Sequence, residues 1–168
     1  MGSLAFKQRA GLDINDESIL VAETSTLPYA VRMTEPGRIH IHLKLQGGLF
    51  ASAVPSRNTP RLLDKIQDVF PAVAPAKHIL QTTLQNGNPV IHPAVTLLNA
   101  ALIERTGGDF LFYEEGVTSS VGRLIQGVDR ERVEVGRSFD LDIISEPELG
   151  CMQGYMTDAT YDRGYIEA

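Results

Sequence analysis

The sequence predicts an α/β part followed by an all-α part. Short apolar runs and one strictly alternating segment, separated by glycine and proline, fill the first half. Helical spacing takes over from Pro93 onward. The change of pattern falls beside Asn86-Gly87, a strong turn signal, so one domain is expected over residues 1–86 and a second over 87–168.

The first half is read element by element. Residues 18–22 (SILVA) form a short apolar run, as in a strand buried on both faces. Residues 38–45 alternate, with Ile39, Ile41, Leu43 and Leu45 on one side and Arg38, His40, His42 and Lys44 on the other, which predicts a half-exposed strand. Gly47-Gly48 then suggests a turn into a strand at 49–54, so 38–54 is expected to be a hairpin ended by Pro55. A helix follows, capped by Asn58 or Thr59 with Pro60 in its first turn, and Leu62, Leu63, Ile66, Val69 and Phe70 share one face until Pro71. Residues 78–84 read as one more short strand.

The second half reads as helices. Pro93 suits the first turn of a helix and disfavours helical geometry in the residue before it, so His92 is expected at or just before a helix start. Residues 94–105 are apolar almost all round and stop at Gly107-Gly108, as in a buried helix. A second helix is expected from a Thr118 or Ser119 cap to about Arg137. Val121, Leu124, Ile125 and Val128 would line its apolar face, and Asp129, Arg130, Glu131, Arg132 and Glu134 a solvated flank. Gly122 and Gly127 would weaken it or admit close helix contacts. Ser145-Glu146-Pro147-Glu148 has the form of a capping box opening a third helix.

Composition narrows the function classes. With 168 residues, 43% hydrophobic and 21% charged, the chain has the make-up of a soluble globular protein of one ordinary domain or two small ones. A net charge of -6 without a clustered basic segment argues against a nucleic-acid partner. No apolar stretch has the length of a membrane span or signal peptide, and the single Cys151 has no internal partner, so a reducing cytoplasm is expected.

Few residues carry chemistry by pattern alone. His92 stands where one structural pattern gives way to another, and its residue type suits acid–base work near neutrality. A histidine that caps a helix or bonds a carbonyl satisfies the same spacing. Asn88, before Pro89, is a cap or turn former or a substrate contact. Glu23 and Thr24 follow an apolar strand, and the carboxyl ends of strands in open α/β sheets bind ligands, so a cofactor-facing role stands beside a plain turn. His40 and His42 share a strand face as a metal pair would, but Arg38 and Lys44 flank them and no further ligand completes a set; metal is not expected. Cys151 reads as a bystander, and Glu114-Glu115 as a solvated pair.

Three ordered blocks, AETSTLPYA (22–30), NPVIHPAVTLLNA (88–100) and FLFYEEGVTSSVGRLIQGVDRERVEVGRSF (110–139), resemble the octopine/nopaline (opine) dehydrogenase family. The resemblance implies the later part of a Rossmann-like NAD(P)-binding domain joined to the start of a helical dehydrogenase domain. It implies reductive condensation of an amino acid with a 2-oxo acid such as pyruvate, driven by NADH or NADPH. His92 matches the family's catalytic histidine, which would polarise the oxo group and shuttle protons, and Asn88 would help to hold substrate.

Departures from the family pattern are expected to matter. The glycine-rich G-x-G-x-x-G loop is absent and would lie upstream of Met1; the acidic partner of the histidine would lie downstream of Ala168. Three of the five tyrosines crowd the last fourteen residues, which also suggests an interrupted domain. Loss of a comparable orienting carboxylate costs roughly 10⁴ in rate in a Ser-His-Asp enzyme, so the chain alone is expected to be weakly active or inactive. Two alternatives stand beside this reading. One is a related reductase of a simple 2-oxo or 2-hydroxy acid. The other is a non-catalytic helical module for partner binding or homo-oligomerisation.

Overall fold

A computed structural model describes residues 2–165. The fold is α/β followed by all-α, and the chain divides into two compact units, one through Asn86 and one from Gly87.

The first unit opens with helix α1 (Gly2–Arg9), which no sequence pattern announced. Its Lys7 is buried, and the Nζ donates to the carbonyls of Asp13, Ile14 and Asp16 at 3.2, 3.2 and 2.7 Å, closing the loop that follows. Strands β1 (Val21–Thr24), β2 (Tyr29–Glu35), β3 (Arg38–Lys44), β4 (Leu49–Val54) and β5 (Val73–Pro75) come next in the chain. They make two sheets. β4 is the centre of the first, antiparallel to β1 and parallel to β5.

That arrangement corrects the expected pairing. β3 pairs with β2, not with β4, because Pro36-Gly37 makes the turn between them, with Gly37 at φ 79° where only glycine is at ease. β1 begins at Val21, three residues later than the apolar run, and as an edge strand it is half-buried; the strand buried along most of its length is β4. The β2–β3 hairpin buries little of its apolar face. Met33 and Ile39 face each other across it and are 76% and 60% exposed.

Helix α2 (Thr59–Ile66) follows a 3-10 turn and carries Pro60 in its first turn, as the sequence suggests. It ends before Val69 and Phe70, which the expected helix included. Residues 78–84 are not a strand: helix α3 (Ile79–Leu84) forms there, with the Thr82 and Thr83 hydroxyls donating to the Ile79 carbonyl at 2.8 and 2.9 Å.

The second unit is helical. α4 (Asn88–Leu98), α5 (Ala100–Thr106), α6 (Ser119–Ser138) and α7 (Glu146–Gln153) account for its regular structure among the described residues. α4 starts five residues earlier than Pro93 because Pro89 occupies the first turn; Pro93 lies inside the helix and forfeits one bond to the Pro89 carbonyl. The single long buried helix is also corrected. The chain breaks at Asn99, and α5 buries no residue before its left-handed stop at Gly107.

The core of this unit packs Val90, Ile91, Ala94 and Val95 of α4 against Val121 and Ile125 of α6 and against Val117. Thr118 caps α6, its side chain accepting from Val121 N at 3.4 Å. Leu124 and Val128 stay on the exposed side, contrary to the expected apolar face, and Gly127 has open space around it. At Gly122, by contrast, an added Cβ would stand 2.7 Å from Asp162 Cβ, so that glycine does permit a close approach. The α7 capping box forms as read, with Ser145 N donating to Glu148 Oε2 at 3.4 Å, and Ser145 Oγ donates to the same oxygen at 2.6 Å.

Candidate functional site

The start of α4 decides what His92 can do. With the helix beginning at Asn88, Asn88 and His92 are four residues apart, so both stand on one face a turn apart, and both are exposed. His92 is therefore not a helix cap. The neighbouring side chains Val90, Ile91, Ala94 and Val95 are committed to the core instead.

A second segment makes the wall behind the imidazole. His92 Nε2 lies 3.1 Å from the Tyr113 hydroxyl, and the Phe112 ring meets the imidazole edge-on at 5.6 Å between centroids. Tyr113 in turn stacks on Tyr165 at 5.3 Å with the planes 20° apart. The segment is held against α4 by Asn99, whose Nδ2 donates to the carbonyls of Val95 and Gly116 at 2.8 and 2.9 Å. Gly116 is required there, since a Cβ would come 2.8 Å from Val95 Cγ1 and would meet the Phe112 carbonyl as well.

The aromatic wall desolvates one side of the ring while the residue as a whole keeps an exposed surface. Burial pushes the His92 pKa below its ordinary 6.5, so the imidazole is neutral at pH 7. Its Nδ1 has no hydrogen-bond partner among the described residues.

Beneath the core lies a polar cluster that sequence reasoning missed. Asp129, expected on a solvated flank, is buried, and Arg132, expected there too, is largely covered: Arg132 Nε and one terminal nitrogen donate to Asp129 Oδ1 at 2.8 and 2.6 Å, and that nitrogen also donates to the Ile144 carbonyl at 2.7 Å. Asp129 Oδ2 accepts from Glu146 N and from the Tyr161 hydroxyl, each at 2.8 Å. The signal was present in the spacing. Val121, Ile125, Asp129, Arg132 and Gly136 follow one another at steps of three or four residues, so the buried stripe of α6 continues through its charged residues.

Glu146 sits at the edge of this cluster. Burial, with the nearby Asp129 charge adding to it against the Arg132 charge, raises its pKa to about 7. Its Oε2 and the Tyr165 hydroxyl are buried without hydrogen-bond partners among the described residues. Burial likewise pushes the Tyr161 and Tyr165 phenols up, and both stay protonated.

The other sequence candidates lie elsewhere. Glu23 and Thr24 belong to β1, where Thr24 is level with Ala51 near the start of β4 and not with that strand's carboxyl end. Glu23 Oε1 accepts from Ser3 N and Ser3 Oγ at 2.6 and 2.7 Å. His40 and His42 meet ring to ring at 4.5 Å, and no group of three His, Cys, Asp or Glu side chains among the described residues could hold a metal. Cys151 is a partly buried free thiol, and Glu114 and Glu115 are exposed. A cleft of about 590 Å³ runs along α6 past Arg123, Arg130, Arg137 and Tyr161, but neither His92 nor Asn88 lines it.

A small α/β unit followed by a helical unit whose first helix presents an imidazole is the class these observations define. The alpha-helical domain of the NAD/NADP octopine/nopaline dehydrogenases matches residues 75–164, and the chain belongs to that family. It is also 35% identical over 127 residues to the opine dehydrogenase of Arthrobacter sp. (strain 1C), a match covering 76% of this chain and 35% of that protein. The chain thus spans about a third of the length of that relative.

The family description names NAD or NADP, and the described residues do not fit that group. No G-x-G-x-x-G loop is present, the Glu23 carboxylate is taken up by Ser3, and the cavity beside Tyr29 and Lys44 holds only about 10 Å³. Among the described residues, no helix is long and apolar enough to cross a membrane.

Proposed function

We propose that His92 is the acid–base residue of an opine-dehydrogenase-type oxidoreductase. The reaction joins the amine of an amino acid to a 2-oxo acid such as pyruvate and reduces the resulting imine, with NADH or NADPH as the reductant. The observation that carries this reading is an exposed imidazole with one nitrogen engaged by Tyr113 and the other without a partner among the described residues. Such a ring can donate a hydrogen bond to an oxo oxygen and exchange protons near neutral pH. Asn88, one turn away on the same face, is placed for the substrate's polar groups, its amide able to donate and to accept. Glu23 and Thr24 are left with a structural contact and an exposed position, so they are not assigned to the cofactor. A free Cys151 accords with a reducing cytoplasm.

Substrate dependence tests the reading. The intact protein should oxidise NADH or NADPH with pyruvate only when an amino acid is added. Amine-independent turnover would replace condensation with reduction of a simple 2-oxo acid.

One observation favours a second, non-catalytic reading. Leu97, Leu98 and Leu111 are exposed on the helical unit, and α5 buries nothing, which is an apolar surface suited to homo-oligomerisation. Sedimentation velocity over a concentration series distinguishes it, because a monomer at every concentration removes that reading.

A further inference from the structure

We propose that the cleft along α6 is a binding site for a small polyanion, a molecule carrying two or more carboxylate or phosphate groups, held by the guanidinium groups of Arg123, Arg130 and Arg137. Neither His92 nor Asn88 lines this cleft, so the inference stands apart from the reading above.

The spacing comes first. The three arginines are seven residues apart, and seven residues fall only about 20° short of two full turns, so all three project from one side of α6 at steps of roughly 10 Å. That side is the polar one. Val121 and Ile125 go to the core, and the exposed apolar residues Leu124, Val128 and Val135 occupy another flank, about 140° round the helix. An apolar flank calls for a covering element, whereas a row of arginines calls for water or for anions.

Little on the protein neutralises that row. The Arg137 side chain makes no hydrogen bond or ion pair among the described residues, and Arg123 donates to the neutral Ser120 Oγ at 2.9 Å. Arg130 lies 3.9 Å from Glu134, an exposed pair of small worth. Asp129 is the one acid in the lining, and both of its oxygens are already taken by Arg132, the Glu146 amide and the Tyr161 hydroxyl. Three cations therefore face one cavity in a chain whose net charge is -6.

The cavity suits a small molecule. Its volume of about 590 Å³ falls inside the roughly 300–1,000 Å³ of ligand pockets. Gly127 keeps its middle open, since an added Cβ there would meet nothing within 4 Å, and Gln126 supplies an amide that both donates and accepts. Guanidinium forks bind carboxylate and phosphate alike, two hydrogen bonds at a time. A ligand with several anionic groups engages more than one arginine, so it is preferred over a single anion.

Isothermal titration calorimetry of the full chain at fixed ionic strength tests this, with citrate and inorganic pyrophosphate as probes and acetate as the single-charge control. Saturable binding of at least one probe is expected, with acetate about tenfold weaker or more. Citrate alone would assign the site to polycarboxylates, and pyrophosphate alone to phosphates. Arg130→Gln and Arg137→Gln should each weaken the bound probe by about tenfold, the loss of one charge-assisted contact. Arg105→Gln, at an exposed arginine of α5, and His92→Gln should leave the affinity as in wild type. Absence of saturable binding by both probes overturns the proposal, and the unaltered chain alone decides that. Wild-type affinity in a folded Arg130→Gln/Arg137→Gln double variant also overturns it, as does a loss of binding in His92→Gln equal to that in the arginine variants, which would move the anion to the imidazole.

Discussion

The helical unit holds two polar groupings that differ in how completely they are satisfied. Asp129 is buried and accepts from Arg132, the Glu146 amide and Tyr161, so both of its oxygens are occupied. His92 is exposed and engages one neighbour through one nitrogen, and the other has no partner among the described residues. The contrast separates a charge that holds the fold from an imidazole left available for chemistry. Buried charges persist only when paired and bonded, whereas a reacting group must keep an unsaturated atom within reach of substrate.

The largest effect should come from breaking the saturated grouping. Asp129→Ala removes the buried acceptor shared by Arg132, the Glu146 amide and Tyr161 and should cost about 3–5 kcal/mol, read by urea unfolding. The comparison fails if that variant is as stable as wild type. Glu146 gives the next effect, through pH. Its folded pKa of about 7 lies above the ordinary 4.5, so the native state holds a proton that the unfolded chain releases. Unfolding free energy should therefore fall as pH rises from 4.5 to about 7 and then level off, by at most roughly 3 kcal/mol. Glu146→Gln should remove that slope, and a slope that persists in the variant would assign it to other groups.

Smaller effects sharpen the other side. Gly116→Ala should push the aromatic segment off α4 and cost about 1–3 kcal/mol, while also weakening the Tyr113 contact to His92. Phe112→Leu should change global stability little and let the His92 pKa rise toward 6.5, followed by NMR titration. A pKa that stays put would mean that Phe112 is not the source of the desolvation.

How much of this was legible in the sequence depends on how local the cause is. The strand at β3, the Thr118 cap, the extent of α6 and the α7 capping box are written in neighbouring residues and are as the sequence suggests, although the alternation of β3 does not bury its apolar side. The strand read at 78–84 failed because seven residues are too few to separate the two periods, and the two threonine hydroxyls bond back to the Ile79 carbonyl within a helix. The start of α4 was misplaced because two prolines compete for its first turn and the earlier one prevails. Asp129 was assigned to solvent on its residue type, although its place in the spacing of Val121 and Ile125 pointed inward. His92 was legible as a candidate, but its partner Tyr113, twenty-one residues on, needed the folded loop to be seen.

The account turns on His92 being the group that acts on substrate. Its most direct test is the rate of amino-acid-dependent NADH or NADPH oxidation with pyruvate in the intact protein, measured for wild type and His92→Gln alongside their melting temperatures. The account predicts a loss of about 100-fold or more with the melting temperature unchanged, since the imidazole is exposed and contributes little to the core. Wild-type turnover in a folded His92→Gln would contradict it.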